Sequence, residues 1–252
     1  MRRVSLPATV LLLVAALACG GSPEAPPANT APAPAVDPAT AATLTASAVF
    51  EGTPPPAAMV RMDADSRCVA EYGAAQRPSE SLVLGEGQAL QNVFVYVKEG
   101  LPPLTFPVPT EPVVLDQQKC RYVPRVFGIR VGQPLEIRNS DPLLHNVRSD
   151  GQINQPFNMG QPVQGTTFTK TFTTGEVMLP FRCDVHGWMN AWAGVLDHPF
   201  FGVSGATGQV TLAGLPPGTY TIEAWHEELG TRTAQVTIGA RESKDVRFAF
   251  AR

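Results

Sequence analysis

The chain has 252 residues, 44% hydrophobic and only 16% charged, with 25 Pro and 22 Gly. Soluble domains usually carry roughly 25% charged residues, so this composition points to many turns and speaks against a helical bundle. A net charge of −3 leaves no basic footprint, which argues against nucleic acid as a partner.

The chain opens with an export signal. Arg2 and Arg3 precede an apolar run from Val10 to Ala18. That run is too short to cross a bilayer and reads as the centre of a signal peptide spanning 1–18. Ala16-Leu17-Ala18 forms a small-residue cleavage site, with Cys19 directly after it. A Cys in that place resembles a bacterial lipoprotein and implies lipidation of Cys19. The match departs from the usual lipobox, which has Leu where Ala16 stands, and plain secretion is the alternative. Residues 19–42 are rich in Pro and Ala without apolar periodicity and read as a disordered tether. The expected location is exported, periplasmic or in the cell envelope, with the membrane reached through the lipid anchor only.

From Leu44 onward the chain shows short alternating runs split by Pro and Gly, among them Val93 to Val97, Val126 to Val131, Thr166 to Phe172, Thr219 to Ala224 and Ala234 to Ile238. These are strand signals, and no long helical stripe interrupts them. The expected fold is all-β, built of sandwiches. Residues 44–110 hold two or three strands, 111–198 about seven, and 199–252 four.

The most informative segment is Phe181-Arg182-Cys183-Asp184-Val185-His186-Gly187-Trp188-Met189. In a strand reading, Val177, Leu179, Phe181 and Cys183 share one apolar face, so the thiol points inward. His186 and Met189 fall in the turn that follows. Upstream, Leu143, His145 and Val147 share a face, so His145 also points inward. One thiolate, two imidazoles and a thioether form the soft donor set of a blue copper centre. Zinc is the rival, with Asp184 as the fourth donor and no role for Met189.

Residues 111–198 resemble a cupredoxin, the Greek-key sandwich of amicyanin, plastocyanin and pseudoazurin. Cys183-x2-His186-x2-Met189 is similar to the short ligand loop of amicyanin, and the run from Tyr122 to Asp141 is similar to the approach to the family's His-Asn pair. The resemblance implies one type 1 copper held by His145, Cys183, His186 and Met189. It implies that Asn146 ties the two donor loops together. It also implies that His186 offers an imidazole edge to the surface, with Leu143, Leu144 and Trp188 as an apolar docking patch. Four His without a His-x-His pair argue against a multicopper oxidase or a copper nitrite reductase. A dinuclear copper centre would need a second Cys in the loop, and haem attachment would need Cys-x2-Cys-His.

With Cys19 assigned to lipid and Cys183 to copper, Cys68 and Cys120 are left to form a disulfide in an oxidising compartment. Two free buried thiols are the alternative. Gly208 to Ile222, with its Leu-Pro-Pro-Gly turn, resembles carboxypeptidase regulatory-like, transthyretin-type sandwiches, whose opening is similar to Val49–Pro56 and Val93–Val97. The copper domain is then either inserted between 44–110 and 199–252 or placed in tandem with them. His226, in Ala224-Trp225-His226-Glu227-Glu228, reads as a strand-end His on an acidic turn. His198 reads as a hydrogen-bonded junction residue, and Met159 as loop packing.

The expected function is single-electron transfer between redox proteins such as a cytochrome or a dehydrogenase, without enzyme activity of its own. The alternatives are a binding or assembly module with a structural or absent metal, and a copper-handling protein.

Overall fold

Alternation sets the first element. From Ala42 to Phe50 every second side chain is small or apolar, and those five, Ala42, Leu44, Ala46, Ala48 and Phe50, are buried while their neighbours are not. This strand, β1 (Ala42–Phe50), opens a computed structural model that describes residues 36–252. The expected signal peptide, Cys19 and the expected tether up to residue 35 lie outside the described residues. The last tether residues are ordered. Asp37 starts a turn, and Thr40 accepts a hydrogen bond from the Arg241 N–H, so residues 37–41, expected in the tether, take part in the folded structure.

Two short strands and a helix follow: β2 (Met59–Arg61), α1 (Ser66–Tyr72) and β3 (Gln76–Pro78). β2 and β3 pair antiparallel, with α1 between them. Then comes β4 (Phe94–Glu99). Nine strands fill the middle: β5 (Val113–Gln117), β6 (Tyr122–Val123), β7 (Val126–Arg130), β8 (Pro134–Asn139), β9 (His145–Ser149), β10 (Phe157–Gln161), β11 (Thr167–Thr171), β12 (Glu176–Arg182) and β13 (Asn190–Leu196). Five close the chain: β14 (Phe201–Val203), β15 (Gln209–Leu215), β16 (Gly218–His226), β17 (Gly230–Ile238) and β18 (Ser243–Phe250).

The all-β class is as expected, with more strands than the alternation predicted. The extra ones are short. Two or three residues carry no readable period of two, and a helix of seven residues shows no apolar stripe.

The strands form two sandwiches. In one, the sheet β15-β1-β18 faces the sheet β14-β4-β16-β17. Its core joins Leu44, Val95, Leu212, Ile222, Ile238 and Phe250, so strands near both ends of the described chain share one interior. In the other, β10-β9-β12-β13-β7 faces β11-β8-β5-β6 across Leu115, Ile137, Val147, Phe181 and Ala193. The segment from β2 to β3 packs on this second core through Met62, Cys68 and Tyr72. A disulfide joins Cys68 to Cys120 with a Cα separation of 5.6 Å. It ties α1 to the loop between β5 and β6.

In β12 the expected face is shifted. A register irregularity between Glu176 and Leu179, with Met178 at positive φ, turns Val177 out to solvent. Such a bulge changes which residues share a face. Downstream of it Leu179, Phe181 and Cys183 point inward as the alternation requires.

The sandwiches meet at a glycine platform. Gly128 of β7 and Gly194 of β13 are directly paired. The Phe94 ring would lie 2.1 Å from a Cβ on Gly194, and the Phe201 ring 2.2 Å from one on Gly128. These glycines are required because aromatic rings occupy the space a side chain would need. Beside them Trp192 and Trp225 meet at 5.3 Å, and Glu227 binds Arg125 and the Trp192 indole N–H.

Gly194→Ala is expected to destabilise the protein by about 1–3 kcal/mol through overpacking. Gly160→Ala, which meets no atom within 4 Å, should cost far less. Denaturant titration of the two variants checks this.

Candidate metal centre

β9 begins at His145 and delivers its imidazole inward, because Leu143, His145 and Val147 fall on the same buried phase. β12 delivers Cys183 just past its end. The chain then turns back into β13, and two backbone bonds close the turn. Cys183 N–H donates to the Met189 carbonyl, and Met189 N–H to the His186 carbonyl. The loop therefore returns His186 and Met189 toward Cys183. All four side chains are buried.

Three donor atoms converge. His145 Nδ1 lies 3.0 Å from His186 Nδ1, which lies 3.8 Å from Cys183 Sγ. All three atoms are within 4.8 Å of one another. The two rings meet edge to face at 71°.

The far ring nitrogens are held by carboxylates. His145 Nε2 is 2.9 Å from Asp141 Oδ2, and His186 Nε2 is 3.1 Å from Asp65 Oδ2. Ionised carboxylates only accept, so each Nε2 carries a proton and donates it. Each Nδ1 is then turned inward toward the sulfur. Carboxylate partners of this kind orient imidazole donors and raise their basicity.

The electrostatics follow. Burial pushes the Cys183 thiol up, but His145, His186 and the backbone N–H groups of Asn146 and His186 outweigh it and bring it down to about 6. Burial pushes the His145 imidazole down, yet Asp141 and the Cys183 sulfur hold it above its usual range. Desolvation opposes ionisation of Asp141 too, and His145 with the Lys119 and Cys120 N–H groups keeps its carboxyl below the ordinary value. The Arg67 guanidinium holds the Asp65 carboxyl well below its usual range against desolvation. Two inward imidazole nitrogens and a thiol easily ionised thus face each other in a buried core. A cation between them resolves that crowding, either shared protons or a metal ion. The donor set suits a soft metal.

Asn146 joins the two loops. Its Oδ1 accepts from the Asp184 N–H at 2.6 Å, and its own carbonyl accepts from Tyr122 Oη at 2.6 Å. Asp184 turns outward to Arg148 and Asn158. It is therefore not placed as a fourth donor, and the zinc arrangement through Asp184 lacks its ligand.

The expected surface around the site is corrected in two places. His186 is 1% exposed, because Asp65 covers its outer nitrogen and Trp188 tilts over its ring at 5.1 Å. Leu143 is 2% exposed and cannot serve a docking patch. It shares the inward phase of His145. Leu144, on the opposite phase, is 39% exposed, and Val185 beside His186 is 45% exposed. Trp188 is half-buried and donates its indole N–H to the Cys120 carbonyl.

Sequence reasoning missed Asp65 and Asp141. Asp141 was within reach, four residues before His145. Asp65 had only an indirect signal, three residues before a Cys paired to Cys120.

Three other residues are settled. His198 is buried and accepts from the Phe200 N–H at 3.2 Å. Met159 lies on β10 and is exposed. His226 is buried rather than solvated, its Nδ1 accepting from the Glu228 and Leu229 N–H groups. The remaining nitrogen of His226 has no hydrogen-bond partner among the described residues.

No family model matches the chain, and no curated protein matches it. Solved structures similar to parts of it include a variant of amicyanin in its reduced Cu(I) form at pH 4. That likeness has 21% identity over 35% of this chain and 85% of the other, with a TM-score of 0.31. A Cu-containing nitrite reductase from Thermus scotoductus has 19% identity over 60% of this chain and a TM-score of 0.33; the likeness covers 28% of the reductase. A purple cupredoxin from Nitrosopumilus maritimus has 22% identity over 33% of this chain and 97% of the other, with a TM-score of 0.29. Overlaps this loose carry no functional weight, and the reading of the site stands on its side chains. Among the described residues no helix is long and apolar enough to cross a membrane.

Burial lowers the His226 pKa to about 4, with Glu228 opposing the shift. The unfolded imidazole titrates near 6.5 and binds protons first, so stability should fall as pH drops from about 6.5 to 4. The loss is about 3 kcal/mol at most from this group. In His226→Gln that part of the pH slope should vanish in thermal melts.

Proposed function

We propose that the chain is a mononuclear copper protein that carries one electron at a time between redox partners. The observation that carries this reading is the convergence of His145 Nδ1, His186 Nδ1 and Cys183 Sγ in a buried core. Met189 is the one further soft donor in the same loop, and Asp65 and Asp141 are already engaged with the outer ring nitrogens. His145, Cys183, His186 and Met189 would hold the ion. A type 1 copper bound there supplies reversible one-electron chemistry.

The protein's own residues make that chemistry economical. Asp141 and Asp65 hold both imidazoles in one tautomer. The His186 N–H donates to Cys183 Sγ at 3.3 Å, which disperses charge on the sulfur. Asn146 fixes the distance between the His145 strand and the Cys183 loop. Two sheets and a disulfide keep the donors where they are, so little has to move when the charge changes.

Cys183 and both imidazoles are buried, out of a substrate's reach, so the protein is read as a carrier and not an enzyme. The partner would be another redox protein, a cytochrome or a dehydrogenase. It would meet a small surface that includes Leu144 and Trp188, in keeping with the modest contacts of redox encounters. Cys19 is read as the lipid attachment point and the Pro/Ala segment as the tether that holds the folded part off a cell-envelope membrane. The sandwich of β1, β4 and β14–β18 is read as one regulatory-like domain interrupted by the copper domain.

Cu(II) loading of the exported chain should give an intense visible charge-transfer band and narrow copper hyperfine splitting in EPR. Both should disappear in Cys183→Ala. Met189→Gln should keep the metal and shift the reduction potential. A colourless protein that prefers zinc would overturn the reading.

A further inference from the structure

An unusual feature of the centre is what lies over it. We propose that the segment from β2 to β3 is a locked cap over the His186 edge, and that within it Asp65 is the positioning residue for the His186 imidazole. The inference rests on the copper reading for its electronic consequence, though not for the contact itself.

Asp65 is held from several sides. It is the N-cap of α1 and accepts from the Arg67 N–H at 2.9 Å. The Arg67 guanidinium grips both of its oxygens, at 3.1 and 2.8 Å. One oxygen remains within 3.1 Å of His186 Nε2. One turn further along α1, Cys68 is bonded to Cys120. The Cys120 N–H donates at 2.7 Å to Asp141, the carboxylate that holds His145.

One disulfide therefore links the supports of both imidazole-binding carboxylates. Its two sulfurs lie within 4.8 Å of donor atoms of both pairs, Cys68 beside Asp65 and His186, Cys120 beside Asp141 and His145. Met62 and Cys68 are fully buried in the core that also contains Cys183 and Met189. The cap is thus part of the interior of the copper sandwich, covalently fixed to it.

Two consequences follow. Asp65 leaves the His186 lone pair on Nδ1, aimed at the cluster, before any ion arrives. Asp65 and α1 also keep redox molecules off the outer imidazole edge, and the Asp65 negative charge favours the higher oxidation state of copper. Asp65 in this role lowers the reduction potential and slows outer-sphere exchange.

The test uses the full chain with Cys19→Ser to prevent lipid attachment, compared with the same chain carrying Asp65→Asn or Asp65→Ala. Asn is also a good N-cap, so the first variant keeps α1 in place if the second fails to fold. In the metal-free protein, nitrogen-15 NMR should show His186 protonated at Nε2 with a slowly exchanging ring proton, and Asp65→Ala should lose that signature. In the copper form both variants should raise the potential. Electron self-exchange between the Cu(I) and Cu(II) forms, in which one molecule's electron passes to the other with no net driving force, should speed up about tenfold or more in Asp65→Ala. It should change much less in Asp65→Asn, which keeps the covering side chain.

An Nδ1-protonated His186 in the parent chain, or an unchanged ring signature in Asp65→Ala, would overturn the proposal. So would a self-exchange rate indifferent to Asp65→Ala. A chain that shows the Nε2 signature and its loss but never a copper charge-transfer band would sink the copper reading and leave the positioning role of Asp65 standing.

Discussion

The centre depends on two imidazoles being held with their inner nitrogens turned toward each other. Two imidazole nitrogens 3.0 Å apart face a buried sulfur. Buried polar atoms normally find a complementary partner, and like groups turned toward each other are costly in a low dielectric. Something must hold the rings so turned. Asp141 and Asp65 do so by taking the outer nitrogens. The surroundings of those carboxylates, Arg67 and the N–H groups of Lys119 and Cys120, in turn keep them ionised and aimed. The order of dependence runs from the disulfide to the carboxylates, from these to the imidazoles, and from the imidazoles to the sulfur.

This order explains how much of the site was legible in the sequence. Cys183, His186 and Met189 share one short turn, and turns keep their residues together whatever the rest of the fold does. His145 was placed by the period of two on β9, which the structure keeps from Leu143 to Val147. The same period correctly excludes Leu143 from the surface, and placing it in a docking patch conflicted with the inward face already assigned to it. Asp65 was not legible because its closeness to His186 spans more than a hundred residues and is set by tertiary packing. Its one trace was Cys68. A disulfide to Cys120 fixes α1 beside the β5–β6 loop, and Asp65 is carried along as its N-cap.

The fold shows the same division. Long alternating strands such as β1 and β16 announce themselves, because half of each is pressed into a core. The short pieces β2, β3 and α1 do not, since β3 buries only Arg77, α1 only Cys68, and β2 no side chain fully. β12 misled at its start for a local reason. The irregularity at Met178 breaks the alternation at Val177, and sequence carries no strong mark of a bulge there. The glycines were visible as residues but not as a platform. Gly128 and Gly194 become meaningful only when β7 and β13 pair and the rings of Phe94 and Phe201 arrive from the other sandwich.

The platform also places the two sandwiches in one mechanical unit. β13 starts at the residue after Met189, carries Trp192 into the contact with Trp225 and then Gly194 under Phe94. The strand that closes the donor loop is therefore the strand on which the second sandwich sits. At the other end of the loop, α1 and the disulfide fix the opposite side of the cluster. Preorganised donor positions reduce the movement an ion can induce and the freedom the chain must lose to bind it. A centre clamped from both sides suits repeated small changes of charge better than repeated capture and release of metal. A delivery protein would need its donors to part, and here that would require disturbing a covalent link on one side and an aromatic junction on the other.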